Sequence, residues 1–260
     1  MLECTPLSLV APHFFTTRAI APGPVHAASV DGWQQIAAEA GVGVGRLCRV
    51  AQVHGAAVHY VRRGQPAPSS AALPEADAIV SDDPTVAVSV RVADCVPLLL
   101  ADRRRGVVAA VHAGWRGTAA HVVRTAVGAL GRAFGSGPTD LVAAVGPSIG
   151  PCCYQVGPEV RAAFAEAGHA VDDIDRWFSA DVGDRLRLDL WRATRDQLQA
   201  AGVPPEAIHV ARICTATHVD RFFSFRVEGA AAGRLVAVIR AADAPRVADP
   251  GGPSTLPPGP

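Results

Sequence analysis

The chain has 260 residues, 49% hydrophobic and 18% charged, enough to bury one large core or two small ones. Its 24 basic and 24 acidic residues cancel, so no overall field draws it to nucleic acid or to an anionic membrane surface. Every basic residue is arginine and asparagine is absent, which excludes Schiff-base, PLP-anchoring and Walker-type lysine chemistry and every N-glycosylation sequon.

The first twenty residues lack a basic leader, and His13, Thr16, Thr17 and Arg18 interrupt their apolar stretches, so no secretory signal is expected. No later window approaches the roughly 18 to 20 apolar residues that a membrane helix needs. The expectation is a soluble, cytoplasmic protein without membrane or nucleic-acid partners. Its six cysteines (Cys4, Cys48, Cys95, Cys152, Cys153, Cys214) are then reduced thiols rather than a disulfide scaffold.

Residues 47–53 and 57–61 flank a break at Gly55 and read as strands, as does the β-branched run 86–92. Residues 98–101 and 107–111 read as a hairpin closed by the charged turn Asp102-Arg103-Arg104-Arg105-Gly106. Both arms are almost wholly apolar, which predicts strands covered on both faces in a layered α/β or α+β domain. Thr118 is expected to cap a helix running to about Phe134, ahead of Gly135 and Gly137. Pro158 opens a second helix that Gly168 closes, and Asp189 caps a third that ends at Ala201 before Gly202, with Leu190, Thr194 and Leu198 on one stripe. No repeat or polar linker divides residues 1–242, which read as one domain, and the Pro/Gly-rich stretch 243–260 reads as a disordered tail.

Four segments set polar or reactive residues beside glycine and proline at strand ends, where sites are commonly built. They are Gln52-Val53-His54-Gly55, Ala93-Asp94-Cys95-Val96-Pro97, His112-Ala113-Gly114-Trp115-Arg116-Gly117, and the run from Gly146 to Tyr154 that includes Cys152 and Cys153. Taken singly, each His or Cys is more often a buried or hydrogen-bonded residue than a ligand. Together, His54, Cys95 and His112 offer two imidazoles and a thiol, a donor set that suits zinc and leaves a fourth position open. The same residues fit a metal-free thiol nucleophile, with Cys95 attacking, a histidine as base and Asp94 or another acid orienting it. Composition does not separate the two. Arg116, beside a helix start, offers a fork for phosphate or carboxylate, while the bland alternative is a solvated arginine with Trp115 filling core.

These segments, with Phe222-Phe223-Ser224-Phe225-Arg226, resemble in order the signatures of the YfiH-like family, also called the laccase-domain or multicopper polyphenol oxidase family, across residues 52–240. The resemblance implies an α+β fold, a single layered domain with a mixed β-sheet core flanked by helices. It further implies one Zn2+ per chain on His54, Cys95 and His112. The implied activity is phosphorolysis of purine nucleosides (adenosine, inosine, guanosine, methylthioadenosine) to base and ribose 1-phosphate, with adenosine deamination beside it. Arg116 or Arg18 is expected to neutralise phosphate near the helix start at Thr118, and Asp94 to orient a ligand or carry a proton. Copper oxidation is disfavoured, since nine histidines and a single methionine, Met1, are a thin supply for a multinuclear copper site. The chain departs from the family after Arg18, where Ala19-Ile20-Ala21-Pro22-Gly23-Pro24 replaces a longer loop. Cys152, Cys153 and Cys214 are read as structural. The alternatives are a zinc-free Cys/His hydrolase of amide bonds and a non-catalytic peptidoglycan-editing factor. A structural zinc would take four protein ligands where three good ones stand.

Overall fold

A computed structural model of the chain describes residues 1–22, 30–65 and 72–242; the expected tail at 243–260 lies outside the described residues. Apolar strands assemble into two mixed sheets. One holds β1 (His13–Phe15), β2 (Leu47–Cys48), β5 (Ala87–Val92) and β13 (Leu235–Arg240), in the spatial order β1-β13-β5-β2. The other holds β3 (Val58–Val61), β4 (Ala78–Ser81), β6 (Val96–Asp102), β7 (Val108–Ala113), β8 (Leu141–Val145) and β12 (Ile208–Val210), in the order β12-β8-β6-β7-β4-β3. Its middle pairs are antiparallel and its two edge pairs parallel. A small antiparallel sheet of β9 (Gln155–Val156), β10 (Phe178–Ala180) and β11 (Leu186–Leu188) stands beside them.

Side chains alternate across a strand, so the expected hairpin β6–β7 feeds two cores at once. Leu98, Leu100, Ala109 and Val111 meet the buried faces of α4 (Val122–Phe134) and α7 (Leu190–Ala200), together with α5 (Pro158–Glu166) and α6 (Val171–Trp177). Leu99, Ala101, Val108 and Ala110 face the other way, onto Val88, Val90, Ala237 and Ile239 of the four-stranded sheet. The far face of that sheet, with Ala87, Val236 and Val238, is covered by Trp33, Ile36 and Ala37 of α2 (Val30–Glu39). Four layers result: helices, six strands, four strands, helix. This is the α+β fold with a mixed sheet core that the resemblance implies, and both hairpin arms are buried along their whole length, as their apolar sequence predicts.

Two of the three expected helices are in place. The Asp189 carboxylate accepts from the Arg192 N–H at 3.0 Å, and the left-handed Gly168 and Gly202 follow the ends of α5 and α7. The helix expected from Thr118 to Phe134 is instead two. A short α3 (Trp115–Ala119) starts directly after Gly114, and His121, at φ 61°, turns the chain before α4. Thr118 is no cap: it is fully buried, and its hydroxyl has no partner among the described residues. Close packing at this turn calls for glycine, since a Cβ on Gly117 would stand 3.0 Å from the Gly55 carbonyl oxygen. No helix of the described residues is long and apolar enough to cross a membrane.

Leu99 is fully buried between the two sheets, where truncation leaves a cavity that neither sheet can close. Leu99→Ala should lower unfolding free energy by about 3 kcal/mol in a denaturant titration.

Candidate active site

The antiparallel register of β6 and β7 pairs Val96 with Ala113 and Pro97 with His112, so Cys95, just ahead of β6, comes beside His112 at the end of β7. The neighbouring β4 starts at the same edge, and the His112 N–H donates to the carbonyl of Asp77, just ahead of it, at 2.7 Å. The loop before β3 brings His54 across. Ligand atoms of His54, Cys95 and His112 lie within 4.8 Å of one another, and the two imidazoles meet edge to face at 4.8 Å between centroids.

Asp77 builds this arrangement. Its carboxylate is fully buried and accepts from the backbone N–H groups of Gly55 at 2.6 Å, His54 at 3.0 Å and Val53 at 3.3 Å. It also accepts from His112 Nδ1 at 2.7 Å, which fixes the ring tautomer and leaves Nε2 free to face Cys95. Two of the four non-glycine residues with positive φ among those described are His54 (62°) and Asp94 (87°), backbone conformations that the surrounding bonds must hold in place. Gly114 is needed for space: a Cβ there would lie 2.8 Å from Cys95 Sγ and 3.3 Å from His54 Cδ2.

Electrostatics within the triplet is concerted. Burial raises the Cys95 thiol, but the charge of His112 and hydrogen bonds from His112 and His54 outweigh it and bring the thiol down to about 6. Burial lowers His112, yet the facing Cys95 thiolate and Asp77 push it up to about 9. Burial would likewise raise Asp77, and its bonds from His112 and the Gly55 N–H hold it below the usual carboxylate range. The protein groups alone thus favour a thiolate beside an imidazolium.

The triplet floors a cavity of about 450 Å³, a size in the ligand-pocket range. Trp115, Tyr154, Phe225, Ile149 and Leu190 give it apolar and aromatic walls, and Arg91, Arg116, Arg226 and Arg234 supply cations. Burial, and then the charges of Arg49 and Arg234, depress the Arg91 guanidinium; burial also depresses Arg234, against which Cys95 and Asp94 work. An anionic ligand would relieve this crowding of positive charge.

The expected residues fare unequally. His54, Cys95 and His112 converge. Arg116 lines the cavity, its guanidinium 4.3 Å over the Trp115 ring. Asp94 also lines it, but its carboxylate is occupied by Thr215 Oγ1 and the Arg226 N–H, each at 2.6 Å, and the acid that orients histidine is Asp77. Arg18 stands apart: it pairs with Glu228 at 2.6 Å, donates to the Phe222 carbonyl at 3.0 Å and is outside the cavity lining. Sequence reasoning missed Asp77, Arg91 and Arg234. A signal for Asp77 existed, an acid directly ahead of an apolar strand. None existed for the two arginines, which meet only through the pairing of β13 with β5.

The chain matches the family described as multi-copper polyphenol oxidoreductase laccase over residues 26–242. It is 36% identical to a protein named purine nucleoside phosphorylase from Deinococcus radiodurans, covering 89% of this chain and 90% of that one. It is 38% identical to adenosine deaminase RL5, from an unknown prokaryotic organism, over 63% of this chain and 64% of that one. Matches to several further relatives span 60 to 66% of those proteins' length. The solved structure of the hypothetical protein YfiH from Bacillus licheniformis superposes with a TM-score of 0.82 at 27% identity, covering 89% of this chain and 93% of that one.

Replacing His112 removes the cation that holds the Cys95 thiolate. In chelator-treated His112→Ala, the Cys95 pKa should rise, and alkylation of Cys95 at neutral pH, followed by peptide mapping, should slow by about tenfold or more.

Proposed function

The chain belongs to the YfiH-type family of laccase-domain proteins, and from that premise we propose that it is a zinc-dependent purine nucleoside phosphorylase that also deaminates adenosine. The observation that carries the reading is a His2Cys triplet at the floor of a nucleoside-sized cavity with aromatic walls and four arginines. Its substrates are purine nucleosides and phosphate.

The triplet fits zinc. It combines one sulfur and two nitrogen donors, the Nδ1–H of one imidazole is anchored on a carboxylate, and the absent side chain of Gly114 keeps the space at Cys95 and His54 clear. His54, Cys95 and His112 would hold the ion. When bound, it supplies Lewis acidity toward an oxygen at its open position. The family description names copper, whereas three donors around one point make a mononuclear centre that suits zinc better than a multinuclear copper site.

The remaining chemistry falls to the cavity wall. Trp115, Tyr154 and Phe225 offer flat faces for a purine. Arg116, on the rim and free of a carboxylate partner among the described residues, takes phosphate, with Arg91 and Arg234 deeper in the wall. As a phosphate oxygen bonds to ribose C1′ and the bond from C1′ to the base nitrogen breaks, negative charge leaves phosphate for the base. The arginines serve by orienting the nucleophile. Asp94, locked by Thr215 and the Arg226 N–H, sets the position of the next residue, Cys95, and of Arg226 on the opposite wall.

A second reading has one observation in its favour. Cys95, His112 and Asp77 line up as nucleophile, base and orienting acid, so the metal-free chain has the makings of a thiol hydrolase for amide bonds.

Incubating the zinc-loaded protein with adenosine, with and without phosphate, separates these readings. Phosphate-dependent adenine and ribose 1-phosphate, with inosine formed without phosphate, are expected, and both should vanish in Cys95→Ala. No purine turnover with zinc bound would reject the proposal. Arg116→Ala should raise KM for phosphate at least tenfold with a smaller effect on inosine formation, read from initial rates.

A further inference from the structure

Three thiols outside the cavity form a second cluster. Ser148 and Cys214 pair in an isolated parallel bridge, with Ser148 N–H donating to the Ile213 carbonyl at 3.2 Å and Thr215 N–H to the Ser148 carbonyl at 3.1 Å. The chain then turns at Gly150, whose carbonyl accepts from both Cys153 and Tyr154 N–H groups at 3.0 Å. This turn folds Cys152 and Cys153 back over Cys214. The Cys152 and Cys153 sulfurs are 3.6 Å apart, and all three lie within 4.8 Å of one another.

The geometry points to a second metal site, in which we propose that Cys152, Cys153 and Cys214 bind one thiophilic divalent cation of the zinc type. At a zinc–sulfur distance of 2.3 Å, tetrahedral thiolates stand about 3.8 Å apart, so the three sulfurs need shift by no more than about an ångström. A second observation concerns the innermost sulfur. Cys214 is buried, and the Gly150 N–H donates to its Sγ at 3.2 Å, the kind of bond that outer partners give to a metal-bound thiolate. Cys152 is exposed and Cys153 partly so, which gives an ion an entry path and leaves its fourth position to solvent.

Such a cation would sit directly behind the cavity wall. Ile149 and Tyr154, at the two ends of the cysteine turn, both line the cavity, and Thr215, next to Cys214, bonds Asp94 beside Cys95. Arg187 also donates to the Cys152 carbonyl, tying the turn to β11.

The test is an anaerobic Co2+ titration of the reduced full chain against Cys152→Ser/Cys153→Ser, whose altered side chains lie outside the core. The double variant should bind one equivalent less per chain than the wild type. It should also lose most of the sulfur-to-metal charge-transfer absorbance, about a quarter remaining if His54, Cys95 and His112 also load and none if they do not, since three thiolates of four are at stake. Cobalt should raise the melting temperature more in the wild type than in the double variant. Equal stoichiometry and equal charge-transfer absorbance in the two proteins would overturn the site, whatever the histidine centre binds.

Discussion

A single buried carboxylate holds the site in register with the fold. Asp77 stands at the mouth of β4 and gathers three consecutive backbone N–H groups and one imidazole. A buried anion costs several kcal/mol unless its lone pairs are filled, so the loop of residues 53–55 and His112 are bound to it as firmly as it is bound to them. Through that one group the strand edge, the left-handed His54 and the ring tautomer of His112 become a single unit. Cys95 then needs only the β6–β7 register to arrive opposite.

The layers explain why this unit sits where it does. Strands covered on both faces have no polar side to offer, so chemistry is confined to their ends, where turns expose backbone donors and small residues permit close approach. At this edge of the six-stranded sheet, Asp77, Cys95 and His112 come from three adjacent strand ends, and Gly114 and Gly117 let the α3 turn pass close to Cys95 and Gly55. The arginines come mainly from elsewhere: Arg91 and Arg234 from the four-stranded sheet, Arg226 from α8 (Phe225–Glu228). The cavity therefore lies between two parts of the fold, one bringing the His54, Cys95 and His112 triplet, the other most of the positive charge. A chain with no net charge acquires a strongly cationic cavity in this way.

How much of this the sequence discloses depends on the range of the interaction. The apolar hairpin arms, the Asp189 cap and the glycine stops at 168 and 202 are local signals and were legible. The convergence of His54, Cys95 and His112 was legible only as a set of motifs, since 41 and 17 residues separate the donors and the register that unites them lies in strand pairing. The Thr118 cap failed because the chain enters the helix early, directly after Gly114, which leaves Thr118 inside α3 with its hydroxyl in the core. Arg18 is a different case. An arginine after Phe-Thr-Thr looks like an anion ligand, but Glu228, 210 positions along the chain, claims it.

That clamp belongs to a wider seam. β13, the last described strand, slots between β1 and β5, so the four-stranded sheet has a gap in its middle until residues 235–240 arrive. During synthesis His54, Cys95 and His112 all leave the ribosome long before that strand does, together with the β6–β7 hairpin that aligns two of them. Arg91 and Arg116 are made with this triplet, whereas Arg226 and Arg234 come more than 100 residues later. Arg91 and Arg234 can face the cavity together only once β13 is seated beside β5, so two of the cavity's four arginines meet through a strand made more than 120 residues after His112.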